Sequence, residues 1–310
     1  MKKKIFIGLF LISASVFAEE KYRGIDVLNF YIPVEERNKI YTSIDYERKN
    51  DKDIYQWKMA EGYLEINRLW DFEFNVEKEF HRQKRPSRKN YSGWDNKFSL
   101  VRSMKGSRFF NKEWNNDLVM GLEQNQIDDK GFETERYKLF AGYRTRTPLD
   151  FGMGGTYFGF DLIGKKVFSR EKDGWAGEFD IVSATNMGYG FQLFNTIYNE
   201  YLYYDTYEGT YRLGLESYIR WTYELGENWA FAVSSGIDGD KYFKNTNDDY
   251  NFEAYIYPHL LFSCNINEGI RVTGELGLPA YKWTRDKASD YRNFRSRSYF
   301  YSKAGIEYIF

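Results

Sequence analysis

The feature that most constrains this chain is an alternation of apolar and charged residues with a period of two. Between Tyr211 and Glu224, one parity holds Tyr211, Leu213, Leu215, Ile219, Trp221 and Tyr223. The other holds Arg212, Glu216, Tyr218, Arg220, Thr222 and Glu224. Successive side chains of a strand point to opposite faces, so such a segment has one apolar and one charged wall. The same pattern sets Phe252, Ala254, Ile256, Leu260 and Phe262 against Glu253, Tyr255, Tyr257 and His259. It sets Ile270, Val272, Leu276 and Leu278 against Arg271, Thr273 and Glu275. Earlier in the chain, Phe72, Phe74 and Val76 alternate with Glu73, Asn75 and Glu77. Tyr137, Leu139, Ala141 and Tyr143 alternate with Arg136, Lys138 and Arg144.

A soluble sandwich or lipocalin-like barrel would show the same alternation, with its apolar face inward. Two features favour the opposite arrangement. The alternating runs reach about ten residues or more, beyond the ~5–6 usual for soluble strands. Trp70, Trp94, Trp114, Trp175, Trp229 and Trp283 all fall at or beside expected turns or loops. Indole rings prefer the headgroup boundary of a membrane, so this is where interfacial girdles belong. Composition agrees. The chain carries 28 Tyr, 26 Phe and 8 Trp, too many aromatics for a disordered segment. Its mean hydropathy is nevertheless −0.67, because lipid-facing and water-facing residues of a membrane barrel average out. With 44 Lys+Arg against 45 Asp+Glu there is no basic excess of the kind that nucleic-acid binding needs.

Turn signals divide the chain in an alternating way. Short connections are expected near Asn67–Trp70, Thr147–Asp150, Gly188–Gly190, Gly226–Asn228 and Asn265–Gly269, with a longer one over Lys105–Lys112. Longer polar connections fall between them, at Asn50–Asp53, Gln83–Gly93, Gln126–Gly131, Arg170–Gly174, Asp205–Gly209, Asp238–Asp249 and Thr284–Asn293. The spacing gives about fourteen strands, within a range of 12–16, with both ends on the short-turn side. The segments 151–168 and 190–207 alternate poorly and could be divided otherwise. The expected fold is therefore all-β: a closed antiparallel transmembrane β-barrel over residues 38–310.

The two ends read as addresses. Met1-Lys2-Lys3-Lys4 is a basic n-region, Ile5–Leu11 begins an apolar stretch, and Val16-Phe17-Ala18 fits a cleavage site before Glu19. Residues 1–18 are expected to be a secretory signal peptide, and 19–37 an N-terminal periplasmic segment. Cleavage would remove three lysines and leave the mature chain more acidic than its formal −1. Glu19 rather than Cys follows the cleavage site, so no lipoprotein anchor is expected, and the single Cys264 has no partner for an internal disulfide. At the other end, Ala304, Ile306, Tyr308 and Phe310 share one parity. A last strand ending in Phe with apolar residues at every second position resembles the assembly signal of bacterial outer-membrane barrels. That resemblance implies an outer-membrane location and recognition of Phe310, Tyr308 and Ile306 by the assembly machinery.

In length, strand number, leader and terminal Phe, the chain resembles the monomeric outer-membrane porins of the outer membrane protein G type. Porins of fusobacterial type and acidic-oligosaccharide channels share this architecture. The resemblance implies a monomer whose outer loop gates the pore with a facing pair of histidines. The equivalent loop is Asp238–Asp249, but only His259 stands on the strand after it and the next strand has no His. The chain departs from the family's gate at that point.

If the apolar face meets lipid, the charged face lines a lumen. The expected lining comprises Asp45, Glu73, Glu77, Arg136, Lys138, Arg144, Arg212, Glu216, Arg220, Glu253, His259, Arg271 and Glu275. Charges in this number do not sit unpaired in a dry interior, so they are either hydrated or ion-paired. A barrel of ~14 strands is wide enough for water, whereas ~8 strands are filled by side chains. Carboxylates dominate the early strands and cations the run 134–146, which predicts opposite charges on separate arcs and a transverse field. The slight acidic excess predicts weak cation preference.

No catalytic constellation stands out. His81 adjoins a basic run (Arg82, Lys84, Arg85, Arg88, Lys89), and His259 has inward parity, but no serine motif surrounds either. No spaced His/Cys set suits a metal. Gly152-Met153-Gly154-Gly155 precedes no helix that could cradle a phosphate. The basic 82–89 run is expected in an outer loop, where lipopolysaccharide phosphates are within reach. The expected function is a porin: a passive, non-enzymatic diffusion channel for ions and small hydrophilic solutes, without cofactor. An acidic-oligosaccharide channel, a barrel hydrolase using His81 or His259, and a plugged structural or adhesin barrel are the alternatives.

Overall fold

The computed structural model describes residues 38–48, 52–84, 89–109, 112–129, 132–149, 156–243, 249–277, 280–286 and 295–310. The expected signal peptide and the 19–37 segment lie outside these residues. The strands are β1 (Lys39–Arg48), β2 (Lys52–Asn67), β3 (Trp70–Gln83), β4 (Tyr91–Phe109), β5 (Lys112–Asp129), β6 (Phe132–Leu149), β7 (Thr156–Ser169) and β8 (Gly174–Gly188). They continue as β9 (Phe191–Tyr203), β10 (Thr210–Glu224), β11 (Trp229–Phe243), β12 (Asp249–Asn267), β13 (Ile270–Gly277), β14 (Ala280–Asp286) and β15 (Arg295–Ile309).

Each strand from β1 to β12 pairs antiparallel with the next. β13 and β14 succeed one another in a single wall position, since both pair with β12 on one side and β15 on the other. β15 then returns to β1, from Lys39↔Ile309 to Arg48↔Phe300, and closes a 14-stranded barrel. The segments that alternate poorly resolve into the single strands β7 and β9. Closure leaves no open edge, the condition a sheet must meet in hydrocarbon, where water cannot satisfy a free N–H or C=O.

Both ends of the described barrel and the 68–69, 189–190 and 225–228 turns share one rim. Two of these turns are set by local chemistry. Asn67 Oδ1 accepts from the amides of Leu69 and Trp70. Gly188, Tyr189 and Gly190 all have positive φ, which the two glycines adopt without a side-chain clash. The opposite rim carries the connections after β1, β3, β5, β7, β9, β11 and β14. Several expected connections are shorter than the turn signals suggest. Gln126–Asp129 belongs to β5, Asp238–Phe243 to β11, and Asp249 opens β12. Polar residues mark where a strand leaves the membrane, not where it stops pairing, and β4 and β12 run 19 residues. About 9–11 suffice to cross a bilayer.

Bulges adjust the parity. The register of β2 shifts between Lys58 and Ala60 opposite Glu77 and Val76. Ile54, Gln56 and Lys58 therefore share a face with Glu61, Tyr63 and Glu65, although their numbers differ in parity. On the outward face, Phe191, Trp221, Tyr223, Phe231, Trp229 and Phe262 form an aromatic belt near the terminal rim. Trp175, Tyr201, Tyr203, Tyr211 and Phe243 form one near the loop rim. Leu118, Met120, Leu139, Leu162, Leu213, Leu215 and Ile256 are exposed outward between such belts.

The inner side of the wall is packed locally. Gly121 lies directly opposite Phe140, whose ring covers the glycine. A Cβ at 121 would overlap the Phe98 carbonyl oxygen and stand 2.7 Å from that ring. Backbone cannot give way as a flexible side chain can. Gly121→Ala is expected to destabilise the folded barrel by about 1–3 kcal/mol. Urea unfolding of the protein refolded in vesicles, followed by tryptophan fluorescence, measures this directly.

Candidate functional site: the inward wall

Which face is concave follows from ion pairs that skip strands. Arg144 on β6 holds Glu73 on β3 through two bonds of 2.8 and 3.1 Å, passing over β4 and β5. A contact over two intervening strands is a chord, and a chord is short only on the inside of a curved wall. Register propagates this face around the barrel through Glu73↔Ser99, Ser99↔Gly121, Gly121↔Phe140, Phe140↔Lys165 and onward. By the same register Asp45, Glu73, Glu77, Arg136, Lys138, Arg144, Arg212, Glu216, Arg220, Glu253, His259, Arg271 and Glu275 all lie on the inward face. The apolar residues of the alternation face outward.

The expected separation of charge into arcs does not persist as an open field. The acidic early strands and the basic β6 are near enough to neutralise one another. Besides Arg144–Glu73, Glu123 binds Lys138 at 2.6 Å and Lys165 at 3.1 Å, and Lys165 also holds Glu178. Arg146 holds Asp161 at 2.6 Å. Arg212 lies between Glu200 (2.7 Å) and Asp240 (2.8 Å). Lys282 pairs with Glu253. At the closure, Glu307 takes Lys39 (2.7 Å) and Arg271 (3.2 Å), and Asp45 takes the Tyr301 hydroxyl at 2.9 Å. Beneath the Arg144–Glu73 chord, Val101 and Val119 are buried against Phe140.

Some carboxylates lie outside this pairing. Among the described residues no cation stands within salt-bridge distance of Asp180, Glu216 or Asp238. Asp180 accepts only the Asn199 amide (3.3 Å) and Glu216 the Tyr198 hydroxyl (3.0 Å). Glu216 and Asp238 are directly opposite each other on β10 and β11, and Glu253 is opposite Asp238. Glu77 and Asp95, opposite each other on β3 and β4, rest on Gln56 and Asn125. Asp180 stands out poorly in the sequence because Ala176 and Ala184 share its inward parity on β8, whereas Asp238 falls at the start of the expected connection Asp238–Asp249, of which the structure places 238–243 in β11.

His259 sits in a chain of polar contacts across four strands, β10 to β13. Arg220 Nε donates to Ser234 Oγ (3.2 Å), and Ser234 lies 3.2 Å from His259 Nε2. His259 Nδ1 lies 2.6 Å from Glu275, which also takes the Tyr257 hydroxyl at 3.2 Å. The connectivity is that of a Ser–His–acid triad. Its accessibility is not: His259 is 0% exposed, Ser234 is 5% exposed, and Arg220 occupies the serine oxygen. The chain acts as a clamp that holds Arg220 against the wall. His81 lies on β3 near the loop rim, between Lys52 (3.2 Å) and Glu79 (2.8 Å), stacked 4.1 Å from the Tyr91 ring. Among the described residues it has no serine partner, and it forms no facing pair with His259. Among the described residues no group of His, Cys, Asp and Glu is arranged to hold a metal ion.

One connection narrows the loop-side mouth. After β9 the chain turns inward through a 3-10 turn at Asp205–Tyr207. Tyr204 is buried against Val167, Ala176 and Leu202 of the inner wall, and Tyr207 packs on this cluster. Arg136 lies over both the Tyr204 and Tyr207 rings, and Tyr207 meets Tyr242. Asp205 pins the turn by accepting from Arg136 Nε (2.8 Å), the Ser169 hydroxyl and the Lys172 amide (3.2 Å). Burial pushes its carboxyl up, but the Ser169, Arg136 and Lys172 donors outweigh that and hold it below the usual aspartate range. Sequence marks 205–209 only as a polar connection. The inward fold depends on β6, β7 and β11, far away along the chain.

A closed antiparallel 14-stranded barrel, aromatic-belted and apolar outside and charged inside, has the architecture of a membrane-spanning β-barrel. No protein-family model and no curated protein matches the chain. Among solved structures it is similar to the outer membrane protein OprD from Pseudomonas aeruginosa (9% identity, 88% of this chain and 94% of that one, TM-score 0.37). It is also similar to OmpT, an outer membrane protein of Vibrio cholerae (13%, 87% and 96%, 0.36). A further similarity is to CdiB from Escherichia coli (7%, 87% and 63%, 0.53). The CdiB likeness supports the barrel fold.

Asp205→Asn keeps the shape and removes the charge-assisted bonds. It is expected to weaken the pinned turn by about 2 kcal/mol. Faster hydrogen exchange at residues 204–209, with the strands unchanged, is the readout. A carboxyl held below its ordinary value contributes fully above that value, about 3.9, and loses its contribution as pH falls through the lowered one. In the wild type the turn is therefore expected to stay protected from pH 7 to about 4 and to loosen below that.

Proposed function

We propose that the barrel is a porin, a passive diffusion channel for ions and small hydrophilic solutes with a weak preference for cations. The observation that carries this reading is the lumen-facing set Asp180, Glu216 and Asp238, carboxylates without a cationic partner among the described residues. A carboxylate on a wall stays ionised where water reaches it, because a dry unpaired ion costs several kcal/mol. Uncompensated negative charge on a water-filled wall raises the local concentration of cations. An acidic-oligosaccharide channel is less well supported. Arg144 already holds Glu73 through both ends of its fork, Arg212 is taken by Glu200 and Asp240, and Arg136 is engaged by Asp205 through Nε. A hydrolase is disfavoured by the burial of Ser234 and His259.

The surroundings fit residence in an outer membrane. Near the loop rim, outward lysines lie on aromatic faces: Lys78 on Trp94 (4.4 Å), Lys166 on Phe168 (5.6 Å) and Lys241 on Phe243 (4.4 Å). Cations held at that level suit lipopolysaccharide phosphates. Ile306 and Tyr308 share the outward face at the end of β15 with Phe310 beyond them, a surface the assembly machinery could grip after a leader over 1–18 is removed.

Refolded protein in a planar bilayer under a salt gradient tests the channel. Ohmic steps with a reversal potential on the cation side are expected. The combined Asp180→Asn, Glu216→Gln and Asp238→Asn variant is expected to keep its conductance within about twofold and lose most of the cation preference. Folded, inserted protein that passes no current would overturn the porin reading.

A further inference from the structure

Most of the lipid-facing band is filled by large apolar side chains, as with Phe72, Phe74 and Val76 on β3 or Leu118, Met120 and Leu122 on β5. One sector is different. Ser183 on β8, Asn195 on β9 and Ser217 on β10 are directly opposite one another on the outward face. Asn195 Nδ2 donates to Ser183 Oγ (3.1 Å), and Ser217 Oγ donates to Asn195 Oδ1 (2.6 Å). Ser235 on β11 continues the sector diagonally. The depth is that of hydrocarbon. On β10, Ser217 lies between Leu215 and Ile219, with Tyr211 of one aromatic belt and Trp221 of the other beyond them. A depression of about 400 Å³ adjoins the seam, lined by Ser217, Ser235 and Ala254 with Leu193, Ile237 and Trp283 around them.

We propose that this seam is the contact surface for a second copy of the chain, packed against its own β8–β11 sector. Three donors remain after the internal bonds: the Ser183 hydroxyl, the second amide hydrogen of Asn195 and the Ser235 hydroxyl. Acyl chains offer them no acceptor, and a polar group left unmatched in hydrocarbon is costly. Another protein surface at the same depth does offer acceptors. A copy related by a two-fold axis presents the same donors and acceptors in reverse, so the match is reciprocal. Apolar burial drives little association in lipid. Close approach over small residues and polar contacts across the interface drive it instead, and the seam supplies both. The depression receives a large apolar side chain such as Ile219 from the partner. The monomer expected from sequence is an implication of the family resemblance and rests on no residue of this outer face.

The test uses full-length protein extracted in its own lipid and measured by native mass spectrometry. A mass of two chains is expected. In a Cys264→Ser background, Ser217→Cys is expected to give an oxidised dimer, while Phe74→Cys on the far side gives at least tenfold less. Asn195→Leu with Ser217→Leu is expected to return the mass of one chain, with the heat-modifiable gel shift of a folded barrel retained. Wild-type protein at the mass of one chain would overturn the proposal, as would equal cross-linking at positions 74 and 217. A Leu variant that stays dimeric overturns it too, because the contact then lies elsewhere. None of these readouts depends on whether the barrel conducts.

Discussion

Closure of the backbone hydrogen-bond ladder is the constraint on which everything else in this barrel rests. In hydrocarbon every strand needs a partner on both sides, and only a sheet that returns to its first strand provides one. The return is made by β15 onto β1 over the whole length of β1. Side chains reinforce that joint from inside, where Glu307 collects Lys39 and Arg271 and Asp45 collects Tyr301. Both Lys39 and Glu307 are almost fully buried. Paired charges at the last joint favour one register, because a slip of one residue would turn them toward lipid.

Once the wall is closed, alternation assigns chemistry to its two faces. Apolar and aromatic side chains meet lipid, and charges turn inward. Inside, most charges find opposite charges on strands up to three positions away, which a curved wall permits and a flat sheet does not. The result is an inner surface whose net field comes from the few groups left over. Asp180, Glu216 and Asp238 on β8, β10 and β11 are such groups, carboxylates with no cation within salt-bridge distance among the described residues. Arg220 lies against the same wall, held by Ser234, His259 and Glu275. In that chain the histidine serves as a strut: it bridges Ser234 and Glu275 at a fully buried position.

Much of the architecture was legible because period-two alternation is a one-dimensional record of a two-faced wall. Strands such as β10 and β12 could be read residue by residue. β11 could not, because Ala230, Ala232, Ser234 and Gly236 are small on the inward side and give little contrast. Connections were read less well than strands. Polarity marks exit from the membrane, and β4, β5 and β12 keep pairing well past that point. The pinned turn at Asp205 was invisible for another reason. Its partners Arg136, Ser169 and Tyr242 come from β6, β7 and β11, and no local pattern brings them together.

By itself the sequence determined that this chain is all-β, that its strands are amphipathic, and which residues oppose lipid. Those properties depend only on the order of side chains along an extended backbone. The tertiary structure decided which charges neutralise one another, which carboxylates are left over, and where the outer face departs from apolar. Each of these depends on register and curvature. Register sets Ser183, Asn195 and Ser217 side by side on three different strands. Curvature brings Arg144 to Glu73 across two others. Neither distance is contained in the spacing of residues along the chain.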